Sequence, residues 1–140
     1  MVQASHSNTS NSLVSMTSDG YKEISSYTFE FMEMYANRFG MNFSVINGNE
    51  GTDYHPAYLK SKISELLDIY DRIIFVDADS YITPLCPDLF SLVNEECVGS
   101  VPGRADIYIG DEPYQKCIER FGNIIIKHPY ITSCLIVCSK

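Results

Sequence analysis

At 140 residues, with 45% hydrophobic and 20% charged side chains, the chain has the make-up of one globular domain rather than of a disordered tail. Its formal net charge of −8 argues against nucleic acid or an anionic membrane surface as a partner, because both call for clustered Lys and Arg. A phosphate-bearing ligand would need its charge neutralised by something besides the protein, and a divalent cation held by carboxylates would serve.

Residues 1–11 read as a flexible polar leader rich in Ser, Asn and Thr, and residues 12–140 as one domain. The leader has no basic stretch followed by an apolar run, so it does not resemble a signal peptide. No apolar run is long enough to span a bilayer, and the sequence reads as soluble and cytoplasmic. Leu13-Val14-Ser15-Met16 predicts a strand, ended by the polar turn Thr17-Ser18-Asp19-Gly20-Tyr21. A helix is expected from about Ser25 to Phe39, with an apolar face of Ile24, Phe31, Met32, Tyr35, Ala36 and Phe39, and Gly40 as its stop. Met41–Ile46 predicts a second strand. Pro56 opens a second helix, whose buried stripe is Leu59, Ile63, Leu66, Leu67 and Tyr70.

Ile73-Ile74-Phe75-Val76 is a continuous apolar run, as expected of a central strand covered on both faces. Beyond it come a short helical piece over Asp88–Val93, a strand over Cys97–Val101 and a loop over Pro102–Asp111. A helix over Pro113–Phe121 and strands over Ile124–Ile126 and Ile131–Val137 complete the pattern. Strands alternating with helices imply an α/β fold with a mostly parallel sheet and helices on both faces. The five cysteines, at 86, 97, 117, 134 and 138, are odd in number and irregular in spacing, which is not a disulfide framework. Cys134 and Cys138 with His128 make a weaker case for zinc than for small buried hydrophobes.

The chemistry-bearing feature is Asp77-Ala78-Asp79, directly after the apolar run. Ligands of open α/β sheets bind outside the carboxyl ends of the strands, where this pair is expected. Strand alternation would put both carboxylates on one side with Ala78 pointing away. Two carboxylates so close call for a cation, and all-oxygen donors suit manganese or magnesium rather than zinc. Asp-x-Asp alone is a weak motif, most often a solvated turn or cap; the buried strand and helix before it carry the argument.

The run His55-Pro56-Ala57-Tyr58-Leu59-Lys60-Ser61-Lys62-Ile63, with Tyr70-Asp71-Arg72 and the strand ending in Asp77-Ala78-Asp79, resembles the signature of GT-A-fold nucleotide-sugar glycosyltransferases, glycogenin-like and galactosyltransferase-like. Ser80 to Leu85, Asp88-Leu89-Phe90 and Tyr35 to Gly40 are similar to the same pattern. The resemblance is good over residues 12–103 and looser beyond. It implies a Rossmann-like GT-A domain, incomplete at its C-terminal side, that transfers a hexosyl group from a nucleotide-diphosphate sugar, a UDP-sugar by resemblance, to a sugar, glycan or protein acceptor.

By position it implies donor contacts from Thr17, Asp19 and Tyr21, from a second-helix lysine best matched by Lys62, and from Asp77, Ala78 and Asp79. Asp77 and Asp79 would hold Mn2+ or Mg2+. Lys62 reads equally well as a lysine whose stem lies on the stripe and whose ammonium reaches water. Arg104 and Asp106 are sugar contacts by loop position alone. The family's Asn-Ala-Gly or Asn-Ser-Gly segment is replaced here by Thr132-Ser133-Cys134, which changes the expected sugar pocket. The rival readings are a nucleotide-sugar-binding module without transfer, and a haloacid-dehalogenase-type phosphatase using Asp77 and Asp79. The latter is disfavoured by Tyr81 where such enzymes carry Thr, and by the long segment before the motif.

Overall fold

In the computed structural model the described residues are 2–4, 10–48, 56–102 and 131–140. The strands among them are β1 (Val2–Ala4), β2 (Asn11–Thr17), β3 (Asn42–Asn47), β4 (Arg72–Val76), β5 (Gly99–Pro102) and β6 (Ile131–Ser139). The helices are α1 (Lys22–Arg38) and α2 (Lys62–Leu66), and 3-10 turns cover Asp19–Tyr21, Pro56–Ser61 and Leu89–Leu92. The sheet order is β1-β3-β2-β4-β6-β5. The parallel arrangement expected from the sequence holds for the central strands β3, β2 and β4. Outside them the pairs β1–β3, β4–β6 and β5–β6 run antiparallel. Val2–Ala4, read from the sequence as part of a polar leader, forms the edge strand against β3 and thereby satisfies backbone groups that β3 would otherwise leave bare.

Alternation along the central strands separates two cores. Leu13, Ile74, Val76 and Val137 face α1 and pack with Met32, Tyr35 and Ala36, together with Ile82 and Phe90 from the chain after β4. Val14, Met16, Ile73, Phe75 and Cys138 face the other way, onto Ile63, Leu66 and Tyr70. This second stripe is the one the sequence predicts. Cys138 likewise behaves as a small buried hydrophobe. On α1 the buried stripe is Ser25, Thr28, Met32, Tyr35 and Ala36, so Ile24, assigned to the apolar face from the sequence, lies 43% exposed instead. The polar members of that stripe have partners: Thr17 Oγ1 and Ser25 Oγ lie 3.0 Å apart. Gly40 ends the helix at φ 65°, where a side chain would be strained. The helix expected over Pro113–Phe121 and the strand over Ile124–Ile126 lie outside the described residues.

The chain after β4 is tied to α1 through the Tyr35 phenol. Its Oη donates to the Pro87 carbonyl and accepts from the Leu89 N–H, both at 2.9 Å. Burial pushes the Tyr35 pKa from 10.0 up to about 12. The unfolded phenol loses its proton first, so the stabilisation is whole below pH 10 and is lost as pH rises from 10 through about 12. The slope in that window is about 1.4 kcal/mol per pH unit. Urea unfolding of the wild type and of Tyr35→Phe, at neutral pH and near pH 11, checks it. The stability gap between the two proteins should narrow at the higher pH, and a gap independent of pH would refute the assignment.

Candidate functional site at the carboxyl ends of β2, β3 and β4

Because β2, β3 and β4 run parallel, their carboxyl ends share one edge of the sheet. Val14 is paired with Phe75 and Thr17 with Asn47, so the chain beyond Thr17, Asn47 and Val76 leaves on the same side. The close approach of these ends is visible at Gly48, whose N–H donates to the Thr17 carbonyl at 2.7 Å. A Cβ on Gly48 would come within 3.2 Å of that oxygen and of Ser18 Cβ, and within 3.3 Å of Leu59.

Strand β4 ends at Val76, and Asp77-Ala78-Asp79-Ser80 forms a tight turn closed by the Ser80 N–H on the Asp77 carbonyl at 3.0 Å. Strand alternation therefore does not extend across the pair as expected from the sequence. Asp77 is half-buried, Asp79 is exposed, and Ala78 is buried. Three neighbours hold the turn's backbone. Ser15 Oγ donates to the Val76 carbonyl at 2.7 Å, Thr28 Oγ1 donates to the Ala78 carbonyl at 2.5 Å, and the Asp77 N–H donates to the Cys134 carbonyl at 2.9 Å. Strands β2 and β6 and helix α1 thus fix one turn, the kind of support a preorganised site requires.

The cation that meets Asp77 belongs to Lys60. Its Nζ lies 2.8 Å from Oδ1 and 3.1 Å from Oδ2 of Asp77. The same ammonium donates to Ser133 Oγ at 2.9 Å and to the Ser133 carbonyl at 3.1 Å, and sits 5.2 Å from the centroid of the Phe75 ring. Lys62, the lysine singled out from the sequence, is instead exposed and pairs with Glu65 at 2.9 Å. The difference arises because Pro56–Ser61 is a 3-10 turn, and Lys60 stands three residues before Ile63, on the buried side. Of the remaining sequence candidates, Thr17 is buried against Ser25, while Asp19 and Tyr21 lie exposed on the 3-10 turn after β2, with Asp19 ion-paired to Lys22. Arg104, Asp106 and His128 lie outside the described residues.

Sequence reasoning passed over Ser15, Thr28, Lys60 and, as a contact, Ser133. Thr28 and Lys60 carried a signal, since each is a polar residue at a position the helical stripe assigns to the core. Ser15 and Ser133 carried none, because their partners are distant in sequence.

As donors for a metal, Asp77 and Asp79 offer hard carboxylate oxygens, which fit manganese or magnesium. Among the described residues no group of three or more His, Cys, Asp and Glu converges. Magnesium-type sites commonly use one or two carboxylates and complete their shell with water and substrate phosphate, so a two-carboxylate turn meets that requirement. A cavity of about 200 Å³ lies elsewhere, between Phe31, Met34, Tyr35 and Arg38 of α1 and residues 82–84, and neither Asp77, Asp79 nor Lys60 lines it. Among the described residues no helix is long and apolar enough to cross a membrane.

No family model and no curated protein matches the chain. Among solved structures, a glycosyltransferase involved in the glycosylation of the major capsid of PBCV-1 is similar, with a TM-score of 0.57 at 13% sequence identity. The superposition covers 93% of this chain and 60% of that one, so the chain spans about three fifths of its neighbour's length. At that identity the likeness is one of fold: the mixed α/β sheet with helices on both faces is an architecture that a glycosyltransferase also uses.

Proposed function

We propose that the chain is the donor-binding part of a metal-dependent glycosyltransferase, taking a nucleotide-diphosphate sugar, in the first instance a UDP-sugar, at the edge formed by β2, β3 and β4. The observation that carries this reading is the braced turn at the end of β4, with half-buried Asp77 and exposed Asp79, in a fold shared with a glycosyltransferase. Asp77 and Asp79 would hold Mn2+ or Mg2+, which when bound supplies Lewis-acid stabilisation of a leaving diphosphate. The residues of the chain do the rest. Ser15, Thr28 and the Cys134 carbonyl keep the turn in place before ligand arrives. Lys60, rather than Lys62, brings positive charge to the diphosphate. The exposed Asp19 and Tyr21, on the turn after β2, face the nucleoside in this reading, and Thr17 supports that turn from beneath. The acceptor is a sugar, glycan or protein hydroxyl.

Calorimetric titration of manganese into the wild type and into Asp79→Asn tests the metal assignment. Asp79 is exposed, so its replacement should leave the fold intact. The variant should bind manganese at least about tenfold more weakly, the loss of one charged ligand being worth more than about 1.4 kcal/mol. Equal affinities would remove the metal from this turn. In the same preparations uridine diphosphate should raise the melting temperature of the wild type with manganese present and not with a chelator.

A further inference from the structure

We infer that Lys60 is a built-in counter-cation that a divalent metal must displace from Asp77, so that metal entry is gated by an ion pair within the protein. The inference rests on the metal reading of Asp77 and Asp79 given above.

The geometry is direct. The ammonium contacts both oxygens of one carboxylate, at 2.8 and 3.1 Å, which are the atoms a metal would take. Neither partner is fully solvated, with side chains 18% exposed for Lys60 and 27% for Asp77, so the pair is screened less than a surface salt bridge. Two cations cannot share those oxygens without mutual repulsion, and the weaker competitor must withdraw.

Withdrawal leaves Lys60 with partners. Its contacts to Ser133 Oγ and to the Ser133 carbonyl, at 2.9 and 3.1 Å, do not involve Asp77, and the Phe75 ring lies under the ammonium at 5.2 Å from its centroid. Asp77 has no second described cation to turn to, since its only ion pair among the described residues is the one with Lys60. The turn itself need not move, because its backbone is fixed by Ser15, Thr28 and Cys134 rather than by the ion pair. The exchange is thus confined to one flexible side chain. It keeps Asp77 neutralised before metal arrives and sets a threshold metal concentration for occupancy.

The sign of the prediction separates a competitor for Asp77 from a residue that orients it. Removing a competitor tightens metal binding, whereas removing a residue that orients Asp77 weakens it. Manganese affinity is read from the electron paramagnetic resonance signal of free Mn2+, in the absence of nucleotide, for the wild type, Lys60→Met, Lys60→Gln and Asp79→Asn, with circular dichroism to confirm folding. An ion pair of this exposure is worth about 1 kcal/mol, so both Lys60 variants should bind manganese about 5-fold more tightly than the wild type. Two substitutions of different polarity guard against a packing effect of either. Unchanged or weaker binding in folded Lys60 variants, with Asp79→Asn still impaired, overturns the gate and leaves the metal site standing. No manganese binding by any of the four proteins overturns both.

Discussion

Phe75→Ala is expected to cost about 3–5 kcal/mol of unfolding free energy. Phe75 is fully buried near the carboxyl end of β4, in the cluster formed with Ile63, Leu66 and Tyr70. Truncation opens a void between sheet and helix that a rigid β4, hydrogen-bonded on both sides, cannot collapse to fill. A domain of ordinary stability holds about 5–15 kcal/mol, so the variant would stand near its unfolding threshold. Leu92→Ala is the control, because that side chain is 65% exposed and its loss should stay within about 0.5 kcal/mol. Urea denaturation of the three proteins checks both values. A cost for Phe75→Ala no larger than for the control would refute the packing described here.

The second large effect is expected at Arg72, at the opposite end of the same strand. Its guanidinium donates from Nη2 to the Val93 carbonyl at 2.7 Å, from Nη1 to the Phe90 carbonyl at 3.3 Å and from Nε to Ser139 Oγ at 3.1 Å. It also stacks over the Phe90 ring, 4.6 Å from the centroid. One planar group thereby joins β4, the end of β6 and the 3-10 turn Leu89–Leu92. Arg72→Ala should cost about 2–4 kcal/mol, since charged hydrogen bonds and two carbonyl partners are lost together. Arg72→Lys should recover less than half, because a single ammonium cannot span the fork. The nearby Glu95, 78% exposed and 3.9 Å away, contributes little. Chemical denaturation supplies the energies, and amide exchange across residues 89–93 should accelerate in both variants.

How far the sequence could be read depended on the range of each interaction. The strand at Arg72–Val76 and the stripe Ile63, Leu66, Tyr70 were legible because burial on both faces and helical spacing leave local patterns. The parallel centre of the sheet followed from the alternation of strands and helices. The antiparallel flanks did not, because nothing local in Val2–Ala4 or Ile131–Ser139 states which neighbour each strand will take. At the site, Asp77 and Asp79 were legible from their place after an apolar run. Their relation was not, since the alternation rule stops where β4 turns at Asp77. Lys62 was singled out by resemblance to a family pattern; in the fold it is exposed beside Glu65, whereas Lys60, three residues before Ile63, meets Asp77. Ile24 was placed on the apolar face of α1 by its hydrophobicity, but the small polar residues Ser25 and Thr28 take the inward positions because each finds a hydrogen-bond partner there.

The strand order has a consequence for biosynthesis. Strand β6 lies between β4 and β5 although it follows both in the chain. While the polypeptide emerges from a ribosome, the apolar strand Arg72–Val76 can pair with β2 on one side, but its other edge stays open until Ile131–Ser139 has been made. Elongation proceeds at about 5–20 residues per second, so that edge is bare for several seconds in every nascent chain. An open edge of β-branched and aromatic residues is a template for pairing with other chains. The yield of folded protein is therefore expected to depend on translation speed and chaperone cover between β4 and β6, a kinetic vulnerability that the equilibrium stability of the finished sheet does not reveal.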